Sequence, residues 1–295
     1  MSKTSSHRNN ASPVLSRRKM VLASAAAMGV SYFDLPLFAG QTGRRKNDPF
    51  GGLPIGVQSY SLRNFSLVET VRHINGMGLH FVEFYSKHMN PAGTDEHIQQ
   101  VKDLCKKADI SINAHGVSAF SKNHEANRKV FEFAKKAGIK NITANPQPDS
   151  FDSLDKLCAE FKVRICIHNH GPGALYDKIG DVAKAVKGRH PLIGACVDTG
   201  HFIRSKEDPV KAVRELKGRV FALHVKDEEK QEKRSRNVVI GTGHLDLVGL
   251  FQAMKDTKFP ADGSVSLEYE ANPKNPIDDM KQCVVQAKDA IKKLK

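Results

Sequence analysis

From Ile55 onward, short apolar runs rich in β-branched residues alternate with segments whose apolar positions recur every three or four residues. The first pattern is typical of buried parallel strands and the second of amphipathic helices. Gly78, Gly138 and Gly218 stand at or near the ends of helical segments, where a left-handed cap residue is common. The predicted strands begin at Ile55, Leu79, Ile110, Ile139, Val163, Leu192, Val220 and Ser264, and the clearest predicted helices span 66–77, 95–108, 123–137, 153–161, 177–186 and 208–216.

Eight strand–helix alternations predict a parallel sheet flanked by helices, and eight strands are the number that closes into a (β/α)8, or TIM, barrel. An open doubly wound sheet is the alternative, but no glycine-rich phosphate turn follows the first predicted strand. We therefore expect one α/β domain, a TIM barrel over residues 54–295, with its site at the C-terminal ends of the strands.

Polar residues within the predicted strands share one face. Because successive strand side chains point to opposite faces, residues two apart lie on the same face. In the sixth predicted strand, Ala195 and Val197 share the outer face, whereas Asp198 faces the barrel axis. The same alternation turns further polar side chains inward near other strand ends: Glu83, His115, His168, His224, Lys226, Glu268 and Glu270. The sequence therefore predicts a polar centre at one end of the barrel.

Asp198, His224 and Glu268 supply two carboxylates and one imidazole from three consecutive predicted strands. Such a set suits Mn²⁺, Mg²⁺, Co²⁺ or Zn²⁺, with positions left for water or substrate oxygens. Buried carboxylates without a cation would be costly, so one divalent metal ion explains how these groups share a cavity. Taken alone, each of these residues is more often a hydrogen-bonded residue at a strand end than a metal ligand. The metal site is favoured because all three face the barrel axis on consecutive strands.

Four short motifs follow one another in this part of the chain. They are Asp198-Thr199-Gly200-His201, His224-Val225-Lys226-Asp227, the loop from Gly241 to Asp246, and Ser266-Leu267-Glu268-Tyr269-Glu270. In order and spacing they resemble the xylose isomerase-like superfamily of sugar isomerases and epimerases, and the resemblance covers residues 55–295. That group includes ketose 3-epimerases, hydroxypyruvate isomerase and inosose dehydratase. The motifs are specific to the superfamily but not to a substrate.

The resemblance implies roles for the residues at the motif positions. Asp198, His224 and Glu268 would bind the metal ion, and Glu268 would also transfer protons. Lys226 would reach a substrate oxygen as the second catalytic residue.

The resemblance also implies substrate contacts. His201 would contact a substrate hydroxyl, and the loop that carries Asp246 would close over the mouth of the pocket. Glu83 and His115 would line the sugar pocket, although hydrogen-bonded polar residues that cap a layer of the barrel would give the same sequence pattern.

The fifth predicted strand departs from the family pattern. Many members place a glutamate there that is both metal ligand and acid/base, whereas this chain has His168 in His168-Asn169-His170. An imidazole can still bind the metal, but it removes one carboxylate base. An epimerase that deprotonates one face of a carbon and reprotonates the other needs two bases. We therefore expect His168 to be the fourth ligand, and the chemistry to be isomerisation on one face or β-elimination.

Together these expectations describe a metal-dependent isomerase or epimerase that acts through an enediolate on a carbonyl-bearing carbohydrate or polyol. The alternative is a keto-sugar lyase or dehydratase, which uses the same enolate and expels a leaving group. An endonuclease IV-like DNA repair enzyme would need a richer His/Asp/Glu set for three metals. A non-catalytic sugar-binding barrel would have lost the ligands.

The first forty residues have a different sequence pattern from the predicted barrel. Arg17, Arg18 and Lys19 precede an apolar, alanine-rich stretch over 21–30, which is typical of a targeting segment. The paired arginines resemble a twin-arginine signal. We therefore expect a signal peptide over 1–40, a linker over 41–53, and export to the periplasm without stable membrane insertion. A membrane-anchoring helix is the alternative, because the cleavage site around residues 37–39 is weak.

The net charge and the cysteine content limit which kinds of partner and metal site we expect. The formal net charge is +14, but part of it lies in the signal segment and the remaining lysines are spread along predicted helix faces. This pattern favours solvated helices over a nucleic-acid surface. The five cysteines include no C-x-x-C pair, so we expect neither a disulfide framework nor a zinc cage. The expected partner is a small carbohydrate, with no nucleic acid, and the sequence leaves a homo-oligomer open.

Overall fold

The strands predicted from the alternation form a closed parallel barrel in the computed structural model, which describes residues 48–295. The barrel strands are β1 (Ile55–Gln58), β2 (Phe81–Phe84), β3 (Ser111–Phe120), β4 (Asn141–Pro146), β5 (Arg164–His168), β6 (Ile193–Asp198), β7 (Val220–Val225) and β10 (Ser264–Leu267). Between β7 and β10 lies a short antiparallel pair, β8 (Asp227–Glu228) and β9 (Asn237–Val238). The barrel closes in the order β1-β10-β7-β6-β5-β4-β3-β2, which confirms the predicted TIM barrel.

Helices cover the outside of the barrel and begin and end where the sequence provides caps. Ser66 accepts a hydrogen bond from the backbone N–H of Glu69, whose side chain bonds back to Ser66 in a capping box. Gly138, at φ 76°, ends the third helix in the left-handed conformation that glycine adopts without strain. The helices are α1 (Leu67–Gly76), α2 (Asp95–Lys107), α3 (His124–Ala137), α4 (Phe151–Phe161), α5 (Ile179–Val186), α6 (Thr199–Arg204), α7 (Pro209–Glu215), α8 (Leu247–Asp256) and α9 (Ile277–Lys292).

The hydrophobic core lies between the strands and the helices. Phe131 of α3 is fully buried, with its ring centroid 6.0 Å from that of Phe120 in β3 and 5.8 Å from that of Phe161 in α4. Truncating a buried phenylalanine of this kind to alanine costs about 3–5 kcal/mol of folding free energy. Because this apolar layer holds the strands in register, their C-terminal ends present polar side chains at fixed positions.

The predicted signal segment over 1–40 lies outside the described residues, as does most of the predicted linker. The last part of that linker, residues 48–53, packs against the barrel. Phe50 is buried, and the carboxylate of Asp48 accepts hydrogen bonds from the backbone N–H groups of Phe50 and Gly52. The packed domain therefore begins before residue 54.

The length and apolar character of a helix decide whether it can span a membrane. Between residues 48 and 295 there is no helix with the length and apolar character needed to cross a bilayer.

All five cysteines are buried free thiols. Burial raises the pKa of Cys105 and of Cys158 to about 12, so these thiols stay protonated and act as small apolar side chains.

Candidate active site

The register of the barrel brings four predicted metal ligands to one end. Asp198 at the end of β6 pairs with His224 in β7, and His224 pairs in turn with Ser266 in β10. His168 ends β5, and Glu268 follows the last residue of β10. All four side chains are buried. The four side chains that the sequence placed on the inner face of the barrel therefore form one cluster.

Asp198 is the centre of this cluster and is fully buried. Its Oδ1 accepts the backbone N–H of His201 at 2.8 Å and so caps α6. Asn169 holds the aspartate backbone from both sides, since its Oδ1 accepts the Asp198 N–H and its Nδ2 donates to the Asp198 carbonyl. Oδ2 is left to face the cluster, 3.2 Å from Nε2 of His168.

His224 is oriented by a carboxylate behind it. Its Nε2 lies 2.9 Å from Oε1 of Glu83, and the same Glu83 carboxylate accepts hydrogen bonds from Thr143 Oγ1 at 2.5 Å and Ser266 Oγ at 2.7 Å. The opposite ring nitrogen, Nδ1, lies 3.1 Å from Oε2 of Glu268. A carboxylate on the far side of a histidine is the arrangement that fixes the ring of a metal ligand.

Lys226 places an ammonium beside the two carboxylates. Its Nζ lies 3.3 Å from Asp198 Oδ2 and 3.1 Å from Glu268 Oε2, and it donates a hydrogen bond to Glu270. The side chain reaches this position by passing over Gly200, where a Cβ would come within 2.8 Å of the lysine Cγ. Gly200 in the D-T-G-H motif is therefore required for the path of Lys226.

The carboxylates and the ammonium group of the site stabilise one another in their charged forms. Burial opposes charging of Lys226, but the carboxylates of Asp198, Glu268 and Glu270 outweigh it and raise the pKa of this lysine well above its usual value. Burial likewise opposes ionisation of Glu268, yet Lys226 and His224 hold its pKa below the usual range. The site therefore contains ionised carboxylates and an ammonium in a buried environment.

The donor set fits a divalent metal ion. Nδ1 of His224 is buried and makes no hydrogen bond of acceptable geometry within the described residues, although it lies 3.1 Å from Oε2 of Glu268, which is ion-paired with Lys226. Polar atoms left in this state are expected where a bound ion normally satisfies them. The ligand atoms of Asp198, His224 and Glu268 lie within 4.8 Å of one another, as do those of His168, Asp198 and His201. Two carboxylates and neighbouring imidazoles suit Mn²⁺, Mg²⁺, Co²⁺ or Zn²⁺.

Glu83, which was expected to line the sugar pocket, lies behind the ring of His224. It is fully buried and contacts His224, Thr143 and Ser266, so it supports the ligand ring instead of lining the pocket. His224 and these two hydroxyl groups lower the pKa of Glu83 although burial acts in the opposite direction. The structure therefore gives Glu83 a positioning role behind the cluster.

His115 is turned away from the cluster. The register between β2 and β3 shifts between Val82 and Glu83, which moves the alternation of β3 by one residue. The His115 ring consequently packs edge-on against Phe133 of α3, with a centroid distance of 4.9 Å, and its Nε2 lies 2.9 Å from the carbonyl oxygen of Met89. This corrects the sequence-based placement of His115 in the sugar pocket.

Asp246, which belongs to the loop expected to close over the pocket mouth, has a local structural role. It is exposed and caps α8, accepting the backbone N–H of Gly249 at 2.9 Å. The loop before it is fastened instead by Asp227, whose two carboxylate oxygens accept the N–H groups of Gly241, Gly243 and Leu245. Asp246 therefore defines a helix start, and the fully buried Asp227 holds the loop in place.

Sequence reasoning gave no role to several residues that contact the site. The signals for two of them were present: His170 stands two residues after His168, and Arg204 stands three residues after His201 on the same helix. His170 stacks on His201 with ring centroids 4.1 Å apart, and Arg204 Nη2 lies 2.8 Å from Nδ1 of His201. Asn169 and Glu270 complete the set through Asp198 and Lys226.

Comparison with known proteins gives the family. The xylose isomerase-like TIM barrel family matches residues 71–288, which is well over half of the chain. The chain belongs to the xylose isomerase-like TIM barrel family. The resemblance inferred from the motifs is therefore confirmed.

Individual relatives are more distant. An inosose dehydratase from Clostridium botulinum is 27% identical over 145 residues, which are 43% of this chain and 48% of the relative. The chain thus matches only about half the length of this curated relative. A protein of undescribed activity from Parabacteroides distasonis is 28% identical, with a TM-score of 0.62 over 79% of this chain and 97% of that structure.

The fold is shared with sugar-modifying enzymes of lower identity. A 3-keto-D-glucoside 4-epimerase from E. coli is 15% identical and superposes with a TM-score of 0.64 over 80% of this chain and 99% of its own. This likeness concerns the fold alone. Membership of the family agrees with the expectation of an isomerase- or epimerase-like enzyme, with a lyase as the alternative.

Proposed function

We propose that this protein is a divalent-metal-dependent enzyme that isomerises or epimerises a carbonyl-bearing carbohydrate or polyol through an enediolate. The observation that carries the proposal is the convergence of Asp198, His224 and Glu268 beside the buried ammonium of Lys226. Family membership agrees with sugar chemistry of this class. The substrate is a small molecule, because the chemistry lies in a buried cluster at the end of a barrel.

The cluster would hold the cation through Asp198, His224, Glu268 and His168. When bound, a divalent cation supplies the positive charge that acidifies a C–H next to a carbonyl group. The fit rests on Nδ1 of His224, which is buried and has no hydrogen bond within the described residues, and on the carboxylates of Asp198 and Glu268 beside it. Glu83 holds the His224 ring in the orientation that keeps its Nδ1 free.

The chain's own residues would carry the proton transfer. Lys226 and His224 outweigh burial and lower the pKa of Glu268, which keeps its carboxylate ionised and able to accept a proton from the carbon beside the carbonyl, although the same shift makes it a weaker base. Lys226, 3.1 Å from Glu268 Oε2, donates to the substrate oxygen on which negative charge develops. Returning the proton from Glu268 to the neighbouring carbon, while the proton of the hydroxyl group passes to the former carbonyl oxygen, completes an isomerisation on one face.

A second candidate function is a β-elimination on a keto-sugar. The match to an inosose dehydratase supports it, as does His168, which stands where relatives carry a second carboxylate base. Both reactions begin with the same proton abstraction by Glu268. They differ in whether the proton returns to carbon or a leaving group departs.

Incubation with a panel of free and 3-keto sugars in deuterated water, with and without a chelator, separates these outcomes. Isomerisation or epimerisation puts solvent deuterium at carbon in a product of unchanged composition, whereas elimination gives a product that has lost water or another leaving group. Loss of turnover on chelation, restored by Mn²⁺ or Co²⁺, supports the metal centre. Full turnover after complete removal of metal would contradict the proposal.

We also propose that the protein acts after export by the twin-arginine route. The support is the Arg17-Arg18 pair before an apolar stretch, which lies outside the described residues. A periplasmic location favours a free sugar or an oxidised glycoside over a phosphorylated cytosolic intermediate as the substrate.

A further inference from the structure

The side chain of His201 is held on several sides at the edge of the ligand cluster. Its Nδ1 lies 2.8 Å from Nη2 of Arg204, which follows one turn later on α6. Its Nε2 lies 3.8 Å from Oδ2 of Asp198, beyond hydrogen-bond distance. The ring of His170 stacks over it with an interplanar angle of 34°. These contacts fix both the position and the rotation of the imidazole.

The Arg204 contact determines which ring nitrogen carries the proton. A guanidinium has only donors and does not lose its charge in proteins, so the atom that it approaches at 2.8 Å must accept. Nδ1 of His201 therefore carries a lone pair, and the single ring proton lies on Nε2. The opposite tautomer would set two N–H groups against each other at that distance.

Arg204 packs against the segment that follows β5. A Cβ on Gly171, in the segment after β5, would come within 2.5 Å of Nη2 of Arg204. The backbone at Gly171 therefore packs directly against the guanidinium, and a side chain at this position would require the guanidinium to shift. The arginine is held between α6 and the segment after β5, with its donor directed at His201.

We propose that Arg204 is a positioning residue that locks His201 as the Nε2–H tautomer, so that His201 presents a hydrogen-bond donor and not a metal-binding lone pair. His168, Asp198 and His201 are close enough together to hold a second cation, which would require an unprotonated Nε2 on His201. With the proton on Nε2 the site takes one divalent cation, and His201 donates instead to a hydroxyl or carbonyl oxygen bound beside Asp198. The assignment of that oxygen to a sugar rests on the proposed function, whereas the tautomer does not.

Nuclear magnetic resonance of the protein labelled with ¹⁵N in its histidine rings tests the tautomer directly, with His201→Gln to assign the signals. We expect His201 to show an unprotonated Nδ1 and a protonated Nε2, both before and after addition of Zn²⁺. Zinc binding should saturate at one equivalent. A protonated Nδ1, or a second equivalent of zinc that shifts Nε2 of His201 as a ligand, would overturn the proposal.

Two matched variants test the role of Arg204. Arg204→Met keeps an unbranched, flexible side chain but removes the donor, and we expect His201 to lose its single tautomer. Arg204→Lys keeps a group that only donates, and we expect it to preserve the wild-type tautomer. Unchanged His201 signals in Arg204→Met would show that another contact sets the tautomer. The wild-type spectrum tests the tautomer without the variants and without the substrate, and the two variants test whether Arg204 sets it.

Discussion

Nε2 of His224 lies 2.9 Å from Oε1 of Glu83, and both side chains are fully buried. This contact spans the barrel from β7 to β2 and turns Nδ1 of His224 toward Glu268. The orientation of the His224 ring therefore depends on a carboxylate that is not itself one of the predicted ligands. The relationship gives the first prediction.

Glu83→Gln should weaken divalent-metal binding by about 10–100-fold, because an amide supports the His224 ring less strongly than a carboxylate. The barrel should remain folded, since the side chain keeps its size. Competition of Mn²⁺ or Zn²⁺ against a chelating dye measures the affinity. Glu270→Gln is the matched control, because Glu270 contacts Lys226 and not a predicted ligand. Equal losses in both variants would contradict a specific role for Glu83.

His168→Gln should lower the metal affinity, and excess Mn²⁺ or Co²⁺ should restore part of the turnover. The reason is that His168 Nε2 faces Asp198 Oδ2 at 3.2 Å, where it completes the ligand set. Turnover as a function of metal concentration measures the effect. If His168 were instead the second proton carrier of a two-base epimerase, saturating metal would restore nothing.

Asp227→Asn should lower the free energy of unfolding by about 3 kcal/mol, because it weakens charged hydrogen bonds to the N–H groups of Gly241, Gly243 and Leu245. Asp246→Ala should cost only about 1 kcal/mol, as for loss of an exposed helix cap. Urea unfolding of both variants measures the difference. A large loss of turnover in Asp246→Ala with full stability would restore the original expectation that Asp246 contacts substrate.

The fold and the centre of the site could be predicted because they depend on local regularities. Period-two alternation places Asp198, His224 and Glu268 on the inner face, and the barrel then brings strand ends together without further information. His115 could not be placed in this way, because an extra residue in β3 before His115 reverses the face on which the His115 side chain lies. No feature of the sequence marks that register shift.

Other residues were missed for a different reason. The role of Glu83 depends on a contact with a residue 141 positions away in the chain, which periodicity does not reveal. Asp246 was assigned from a family motif, although an aspartate three residues before Gly249 at the start of an apolar helical segment is also an N-cap pattern. Local hydrogen bonding in this case explains the residue more simply than the loop motif does.

Replacing Arg17 and Arg18 together by lysine should stop export, because the twin-arginine route reads the pair and not only its charge. Fractionation of cells that produce the full chain measures the distribution, and a single Lys19→Arg change serves as the control. Normal periplasmic accumulation of the double variant would contradict the proposed route. It would leave the proposed chemistry untouched, since the barrel lies in residues 48–295.

The central claim is that Glu268 moves the proton at a metal centre built from Asp198 and His224. The most direct measurement is solvent-deuterium incorporation at carbon by wild type and Glu268→Gln, with bound metal determined on the same samples. We predict that Glu268→Gln retains part of the metal, since its amide oxygen still coordinates, but loses several orders of magnitude in exchange and turnover. Exchange at close to the wild-type rate in metal-loaded Glu268→Gln would contradict the account.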